Sequence, residues 1–381
     1  MIKRILYTLL IMFPVVASAQ INTDRVMAIG RNALYFEDYV LSIQYFNQVI
    51  NAKPYLSDPY FYRGLAKINL DDFQGAESDC SEAIERNPFV VSAYQVRGLA
   101  RIQQNNFAGA IEDYTKALEF DPENIGVWHN MALCRIRQED YKGAKNDLDK
   151  LIAISPRYTK AYLMRGEVDL KQKDTLAAEK DFGKAIEIDR YDADTWASRA
   201  ILRLQQQRYK DAEADFDHAI RLSTRNSGVY INRALARYHQ NNLRGAMSDY
   251  DIALDIDPNN FIGHYNRGLL RAQVGDDNRA IQDFNFVIEM EPDNMMAIFN
   301  RGLLLDQTGD YKGAIKDYST VINEYPNFLL GYQYRAQARR KIGDVKGADA
   351  DEFKVLKAQL DKQNGVDPNK QTADNTENNK T

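Results

Sequence analysis

The sequence predicts an all-α fold, a right-handed superhelical solenoid of about ten helix-turn-helix units. One residue pattern recurs every 34 residues, and no insertion or deletion disturbs it over ten units. Each unit contains two stretches of apolar residues at helical spacing, separated by a turn sequence such as Gly309-Asp310. One helix hairpin cannot bury its own apolar face, whereas stacked hairpins share a continuous core.

The chain begins with a segment typical of a secretory signal peptide. Lys3 and Arg4 precede an apolar run over residues 5–16, and small residues follow at 17–19. The run is shorter than the roughly 20 residues that span a bilayer. We therefore expect residues 1–19 to direct export and to be removed, with an uncleaved membrane anchor as the alternative. Removal leaves 47 of the 49 basic residues against 54 acidic ones, so the mature chain is mildly acidic.

Small, aromatic and proline residues occupy fixed positions in the repeating unit. With Thr23 as position 1, position 8 is always Gly or Ala, which should let the two helices of a hairpin approach closely. The position-8 residues are Gly30, Gly64, Gly98, Ala132, Gly166, Ala200, Ala234, Gly268, Gly302 and Ala336. Position 24 is aromatic in seven units, and a ring there should fill the wedge between one hairpin and the next. Proline at position 32 marks the hand-over to the following unit in seven cases.

Two charged columns follow the same period. Arginine recurs at position 7 in eight units, and aspartate recurs at position 23 in nine. They are Arg63, Arg97, Arg165, Arg199, Arg233, Arg267, Arg301 and Arg335, with Asp79, Asp113, Asp147, Asp181, Asp215, Asp249, Asp283, Asp317 and Asp351. Both positions lie eight residues from the predicted turn, so they should stand level across the antiparallel helices. We expect a ladder of Arg–Asp pairs that holds each hairpin in register, and a row of ligand-binding charges is the alternative.

The pattern resembles that of the tetratricopeptide repeat (TPR) family, whose aromatic, small and proline positions recur over 34 residues. Position 4, the early aromatic position, holds Tyr60, Tyr94, Trp128, Tyr162, Trp196, Tyr230, His264 and Tyr332. The resemblance extends from residue 23 to about 358, and it implies a fold rather than a task. We assign residues 20–358 to the solenoid, with Glu352 at a solvent-facing end. Residues 355–363 can extend the last helix as a polar cap. We assign residues 359–381, which contain few apolar side chains, to a polar tail that we expect to be disordered.

The sequence contains no catalytic, cofactor-binding or metal-binding motif. The histidines fall in four different units at unrelated positions, and the two cysteines lie two units apart, too far for a disulfide. These residues are His129, His218, His239, His264, Cys80 and Cys134. We therefore expect no enzymatic activity, no cofactor and no metal site. The net charge of −5 gives no reason to expect nucleic acid as a partner.

The family resemblance implies a concave groove lined by the first helix of each unit, in which positions 2, 5, 9, 12 and 13 commonly face the groove. We take positions 5 and 9 as the candidate contacts with a partner. The groove residues predicted in this way are Phe61, Leu65, Leu99, His129, Leu133, Leu163, Ile201, Ile231, Leu235, Tyr265, Leu269, Phe299 and Leu303. These residues predict a groove that is apolar through its middle and more polar toward its C-terminal end. The alternative is that the position-9 leucines pack between neighbouring first helices.

These observations predict a non-enzymatic protein–protein interaction scaffold. The leader indicates export by a bacterium to the periplasm or cell envelope, or secretion, so the expected partners are envelope or secreted proteins. A partner would bind as an extended segment or an amphipathic helix in the groove. A chaperone-like assembly factor for exported clients and a glycan-binding envelope protein are the alternatives.

Overall fold

The computed structural model describes residues 22–223 and 225–363, and within these ranges it consists of twenty helices without a β-strand. The chain divides into two compact units, Met1–Ile188 and Asp189–Thr381. The first contains α1 (Thr23–Tyr35), α2 (Tyr39–Ala52), α3 (Asp58–Ile68), α4 (Phe73–Arg86), α5 (Val91–Gln103), α6 (Phe107–Phe120), α7 (Ile125–Arg137), α8 (Tyr141–Ile154), α9 (Thr159–Lys171) and α10 (Thr175–Ile188). The second contains α11 (Ala193–Gln205), α12 (Tyr209–Leu222), α13 (Ser227–His239), α14 (Leu243–Ile256), α15 (Phe261–Gln273), α16 (Asp277–Met290), α17 (Met295–Thr308), α18 (Tyr311–Glu324), α19 (Leu329–Lys341) and α20 (Val345–Gln363). Within each unit every helix packs against the next along the chain, so the predicted all-α solenoid of helix hairpins is confirmed.

Each hairpin turns at position 15, where the backbone φ angle is positive. The last three turns use glycine at this position, and the first seven use Glu37, Asp71, Asn105, Glu139, Lys173, Gln207 and Asn241. A left-handed conformation costs an L-residue roughly 1–2 kcal/mol. In eight of the ten hairpins the side chain of the following residue caps the second helix: the Asp72 carboxylate, for example, accepts a hydrogen bond of 2.9 Å from the amide of Gly75. Local turn chemistry therefore fixes where each hairpin reverses.

Small residues at position 8 bring the two helices of a hairpin into direct contact. A Cβ atom at Gly302 would lie only 2.9 Å from Cε1 of Tyr318, which is fully buried at position 24. The position-24 rings also reach the next hairpin, as where Phe46 stacks on Tyr62 with ring centroids 5.8 Å apart. The sequence-based roles of both positions are thus borne out.

The predicted Arg–Asp ladder is present. Arg233 donates from Nε and Nη2 to the two carboxylate oxygens of Asp249, at 3.0 and 2.6 Å. All eight position-7 arginines donate in this way to the aspartate sixteen residues later. The aspartates are buried, so each pair closes its hairpin in an environment of low dielectric constant.

Two further sets of contacts extend the ladder beyond the prediction. Arg237, at position 11, donates to the Asp249 carboxylate at 2.8 Å, so two cations meet one buried anion. Arg233 also reaches back to Asp217 of the preceding hairpin, at 2.7 Å. Position-11 cations likewise contact the buried aspartate in hairpins that contain Lys67, Arg101, Arg135, Arg203, Arg271 and Arg339. The ladder therefore joins hairpins to one another as well as closing each of them.

The hairpin of α7 and α8 lacks one cation of the ladder. Position 7 is occupied by Met131, so the buried Asp147 carboxylate contacts Arg135 alone, at 2.7 Å. Burial raises the pKa of Asp147 to about 6, against the opposing influence of Arg135. This aspartate is therefore the member of the ladder whose charge is least well compensated.

The ends of the described chain agree in part with the sequence-based boundaries. At the C-terminus Glu352 is exposed and accepts hydrogen bonds from Arg340. Helix α20 continues to Gln363, so residues 359–363, which the sequence assigned to the tail, are helical. The predicted signal peptide and the rest of the tail lie outside the described residues. Among the helices of residues 22–223 and 225–363, none is long and apolar enough to span a bilayer.

Candidate partner-binding surface

The thirteen predicted groove residues lie on the first helices of their hairpins and differ in exposure. Leu269 is 40% exposed, whereas Ile231 is 7% exposed and belongs to the core. The other eleven are half-buried. Among them, Phe61, Ile201 and Tyr265 pack against clusters of buried core residues. Much of this row therefore contributes to packing. Partner binding by these residues stays a prediction.

A patch of exposed apolar side chains lies on α15, α17 and α19. Ile262, Met296 and Leu330 occupy position 2 of three successive hairpins and are 51%, 67% and 43% exposed. Leu269 lies seven residues after Ile262, on the same face of α15. Helix α15 contacts α17, and α17 contacts α19, so the side chains stand on adjacent helices. We call Ile262, Leu269, Met296 and Leu330 the apolar patch.

A cavity of about 430 Å³ opens beside Met296. It lies between the start of α17 and the end of α18, and its apolar walls include Met295, Phe299, Tyr325 and Phe328. The ring of Phe299 is held edge-on against Phe328 with centroids 5.1 Å apart, so this wall is preformed. Phe299 is the predicted groove residue that lines the cavity.

Acidic residues surround the loop end of these hairpins. The segments 253–266, 287–300 and 321–334 contain Asp255, Asp257, Glu289, Glu291, Asp293 and Glu324, and none contains Lys or Arg. Their one histidine, His264, lies within 3.0 Å of the Asp283 carboxylate and of the Pro258 carbonyl. Asp293 lines the cavity itself. We call the six acidic residues the acidic rim.

The buried Cys80 thiol and the four histidines pack against other side chains. Burial raises the pKa of the Cys80 thiol to about 12, so this thiol is protonated at neutral pH. Each histidine lies against an aromatic ring, as where His218 stacks on Trp196 with centroids 4.3 Å apart. Within residues 22–223 and 225–363 no three His, Cys, Asp or Glu side chains stand close enough to hold a metal ion.

Comparison with known proteins identifies the repeat. Family models described as tetratricopeptide or TPR repeat match residues 98–134, 125–158, 159–192, 198–261 and 265–327. The chain belongs to the tetratricopeptide repeat family. Proteins of this family bind other proteins, so the TPR assignment supports an interaction scaffold. No curated protein matches the chain.

Two solved structures share the TPR fold. A tetratricopeptide repeat protein from Parabacteroides merdae is 21% identical, with a TM-score of 0.51; the match covers 65% of this chain and 98% of that one. A chain of the APC/C hetero-tetramer Cut9-Hcn1 is 13% identical, also with a TM-score of 0.51; the match covers 76% of this chain and 57% of that one. At these identities the likeness shows the fold alone.

The position-2 residues were missed because the sequence analysis examined positions 5 and 9 of the TPR unit. The signal is readable: position 2 is polar or small in the first seven units and becomes apolar in the last three. The first seven position-2 residues are Asp24, Asp58, Ser92, Gly126, Lys160, Asp194 and Gly228. Positions 5 and 9 predict a groove that turns polar toward its C-terminal end, whereas at position 2 the exposed side chains on α15, α17 and α19 are apolar.

Proposed function

We propose that this TPR protein is a non-enzymatic scaffold that binds a segment of a partner protein on the apolar patch of its C-terminal unit. The observation that supports the proposal is the row of Ile262, Met296 and Leu330 on adjacent first helices, beside a preformed cavity. Scattered apolar residues on a surface need no explanation, whereas a contiguous patch marks an interaction site.

The energetics of the surface suit capture of a partner segment. Met296, 67% exposed, offers a flexible thioether that adapts to the shape of an incoming side chain. Phe299 forms a rigid wall of the cavity, because its ring is fixed by its contact with Phe328. Pockets of this kind seat the anchor residues that dominate binding energy at interfaces. Since the wall is formed before binding, little ordering entropy opposes capture.

We further propose that the partner is met outside the cytoplasm, in the cell envelope or among secreted proteins. The support for this is the leader over residues 1–19, with Lys3 and Arg4 before an apolar run. Fractionation of cells that express the full-length chain tests the compartment. Recovery of the protein in the cytosolic fraction with its leader intact would contradict export.

Affinity capture with matched variants tests the binding surface. The full-length chain and its Met296→Asp variant are immobilised, and proteins captured from an envelope fraction are identified by mass spectrometry. Leu176→Asp is the control, since Leu176 is 80% exposed on α10 in the other unit. We expect Met296→Asp alone to lose the captured partner, with helical content unchanged by circular dichroism. Equal capture by all three proteins would refute the proposal, and capture of many unrelated unfolded clients would instead indicate a chaperone-like factor.

A further inference from the structure

The apolar patch and the acidic rim lie together at the loop end of the last three junctions. Met296 and Asp293 line the same cavity, one apolar and one acidic. Around it, fourteen-residue stretches in three successive hairpins contain acidic residues and no Lys or Arg. Most other junctions are mixed: Arg157 and Lys160 flank the start of α9, and Arg221 and Arg225 precede α13. The stretch 117–130 before and within α7 is also acidic without Lys or Arg, but its position-2 residue is Gly126. The combination of apolar position-2 side chains with acidic loops is therefore found at the last three junctions.

We propose that this surface binds a cationic amphipathic helix of a partner protein, an inference that rests on the proposed function and names the chemistry of its ligand. Apolar side chains of the helix contact the apolar patch and enter the cavity at Met296. Lysine or arginine side chains along its flanks meet the acidic rim. A segment rich in Asp or Glu is repelled by the same rim, because no basic side chain in the three stretches offsets it.

The spacing of the patch favours a helix over an extended strand. Packed helices lie about 8–10 Å apart, so Ile262, Met296 and Leu330 advance in steps of roughly that length. Residues seven apart in an α-helix advance about 10.5 Å and return to the same face. In an extended chain, residues two and four apart share a face but advance only about 6.6 and 13 Å. A helix with an apolar stripe therefore matches the patch in both spacing and direction.

The charge of the rim gives the proposal a measurable signature. Partly exposed ion pairs are individually weak, so two or three of them together produce a preference of roughly tenfold for a cationic over an anionic segment. At about 0.5 M salt the Debye length shortens to roughly 4 Å, and most of this preference should disappear. The apolar contribution should persist at that salt concentration, since it does not depend on charge.

Two fluorescein-labelled peptides of about 20 residues test the inference with the full-length chain. One is an amphipathic helix of Leu and Lys, and the other has Glu in place of every Lys. Fluorescence anisotropy at about 0.02 M and 0.5 M salt should show the Lys peptide binding about tenfold more tightly at low salt and less than threefold at high salt. Met296→Asp should weaken binding of the Lys peptide about tenfold or more at both salt concentrations. The double variant Asp293→Asn with Glu289→Gln should reduce the preference for the Lys peptide over the Glu peptide. Leu176→Asp should change neither the affinity nor the preference.

Several outcomes overturn the inference. Equal affinity for the two peptides, or tighter binding of the Glu peptide, would contradict the proposal that the partner segment is cationic. Equal loss of binding in Met296→Asp and Leu176→Asp places the contact elsewhere. If sedimentation shows a self-associated chain that Met296→Asp dissociates, a second copy occupies the patch. If neither peptide binds while envelope capture still depends on Met296, the cationic helix is wrong and the proposed function stands. If capture does not depend on Met296, the proposed function itself falls.

Discussion

Replacement of Met131 by arginine should complete the one hairpin of the ladder that lacks its position-7 cation. In the neighbouring hairpin, Asp113 is held by Arg97 at 2.6 Å and by Arg101 at 3.0 Å. The buried Asp147 has Arg135 alone, and burial raises its pKa to about 6. An arginine in place of Met131 should reach Asp147 as Arg97 reaches Asp113, because both pairs occupy positions 7 and 23, sixteen residues apart.

The size of the gain follows from the pKa of Asp147. Its rise from 3.8 to about 6 corresponds to roughly 3 kcal/mol of disfavoured charge. Arg135 lies partly in solvent, and screening there reduces the recoverable part to about 1–2 kcal/mol. Because the folded-state pKa lies above the unfolded one, the protonated carboxyl stabilises the fold below about pH 4, and that stabilisation is lost as the pH rises through 6. The advantage of Met131→Arg should therefore be small near pH 4.5 and reach its full size by about pH 7.5.

Trp128 provides a local probe, because it lies on α7 in the same hairpin and the chain has only two tryptophans. In a Trp196→Phe background, urea unfolding followed by Trp128 fluorescence measures the free energy of unfolding of this region across pH. Met131→Leu controls for the change in packing, and Asp147→Asn removes the carboxylate that the new arginine should meet. The reasoning is refuted if Met131→Arg is no more stable than Met131→Leu at about pH 7.5, or if it stabilises the Asp147→Asn chain equally.

Three further predictions concern packing and burial. Asp249→Ala removes the buried carboxylate that the half-buried Arg233 and Arg237 share, and it should cost about 3–5 kcal/mol. The more exposed Asp217→Ala should cost under about 1 kcal/mol, and urea unfolding followed by circular dichroism compares the two variants. By the same assay, Gly302→Ala should lower the free energy of unfolding by about 1–2 kcal/mol, since the new Cβ would lie 2.9 Å from a buried ring. Gly183→Ala should raise it by about 0.5–1 kcal/mol, because the space around Gly183 is open. Cys80 should resist iodoacetamide at about pH 8 in the folded protein and react in denaturant, because burial raises its pKa to about 12; rapid native labelling would contradict this.

The fold could be predicted because the same residue types recur at the same positions in ten units, and this recurrence is far more specific than any one residue. A single Gly or Arg is weak evidence, but ten small residues at position 8 and eight arginines at position 7 are specific. The pairing of positions 7 and 23 followed from the geometry of an antiparallel hairpin alone. The position-11 cations were missed because no symmetry argument places them level with position 23. They reach it diagonally, as Arg237 reaches Asp249.

The candidate site was harder to predict because the repeat pattern does not specify which side chains are exposed to solvent. Leu269 and Ile231 are both apolar groove positions by family resemblance, yet one is exposed and the other is buried. Their difference depends on how neighbouring helices pack around each, which the period does not specify. Position 2 carries the signal because it contributes little to packing, as the 67% exposure of Met296 shows.

The ladder also explains why the period is free of insertions. Each position-7 arginine donates sixteen residues forward, within its hairpin, and in most units sixteen residues back to the hairpin before it, as Arg233 does to Asp249 and Asp217. One extra residue within a helix would rotate the side chains that follow it by about 100° about the helix axis and would separate the arginines from the carboxylates they contact. The scaffold thus constrains positions 7, 8, 23 and 24 together, and position 2 is left to vary. In the last three units position 2 is apolar and lies beside acidic loops. Packing within the scaffold does not require this change, whereas binding of a partner explains it.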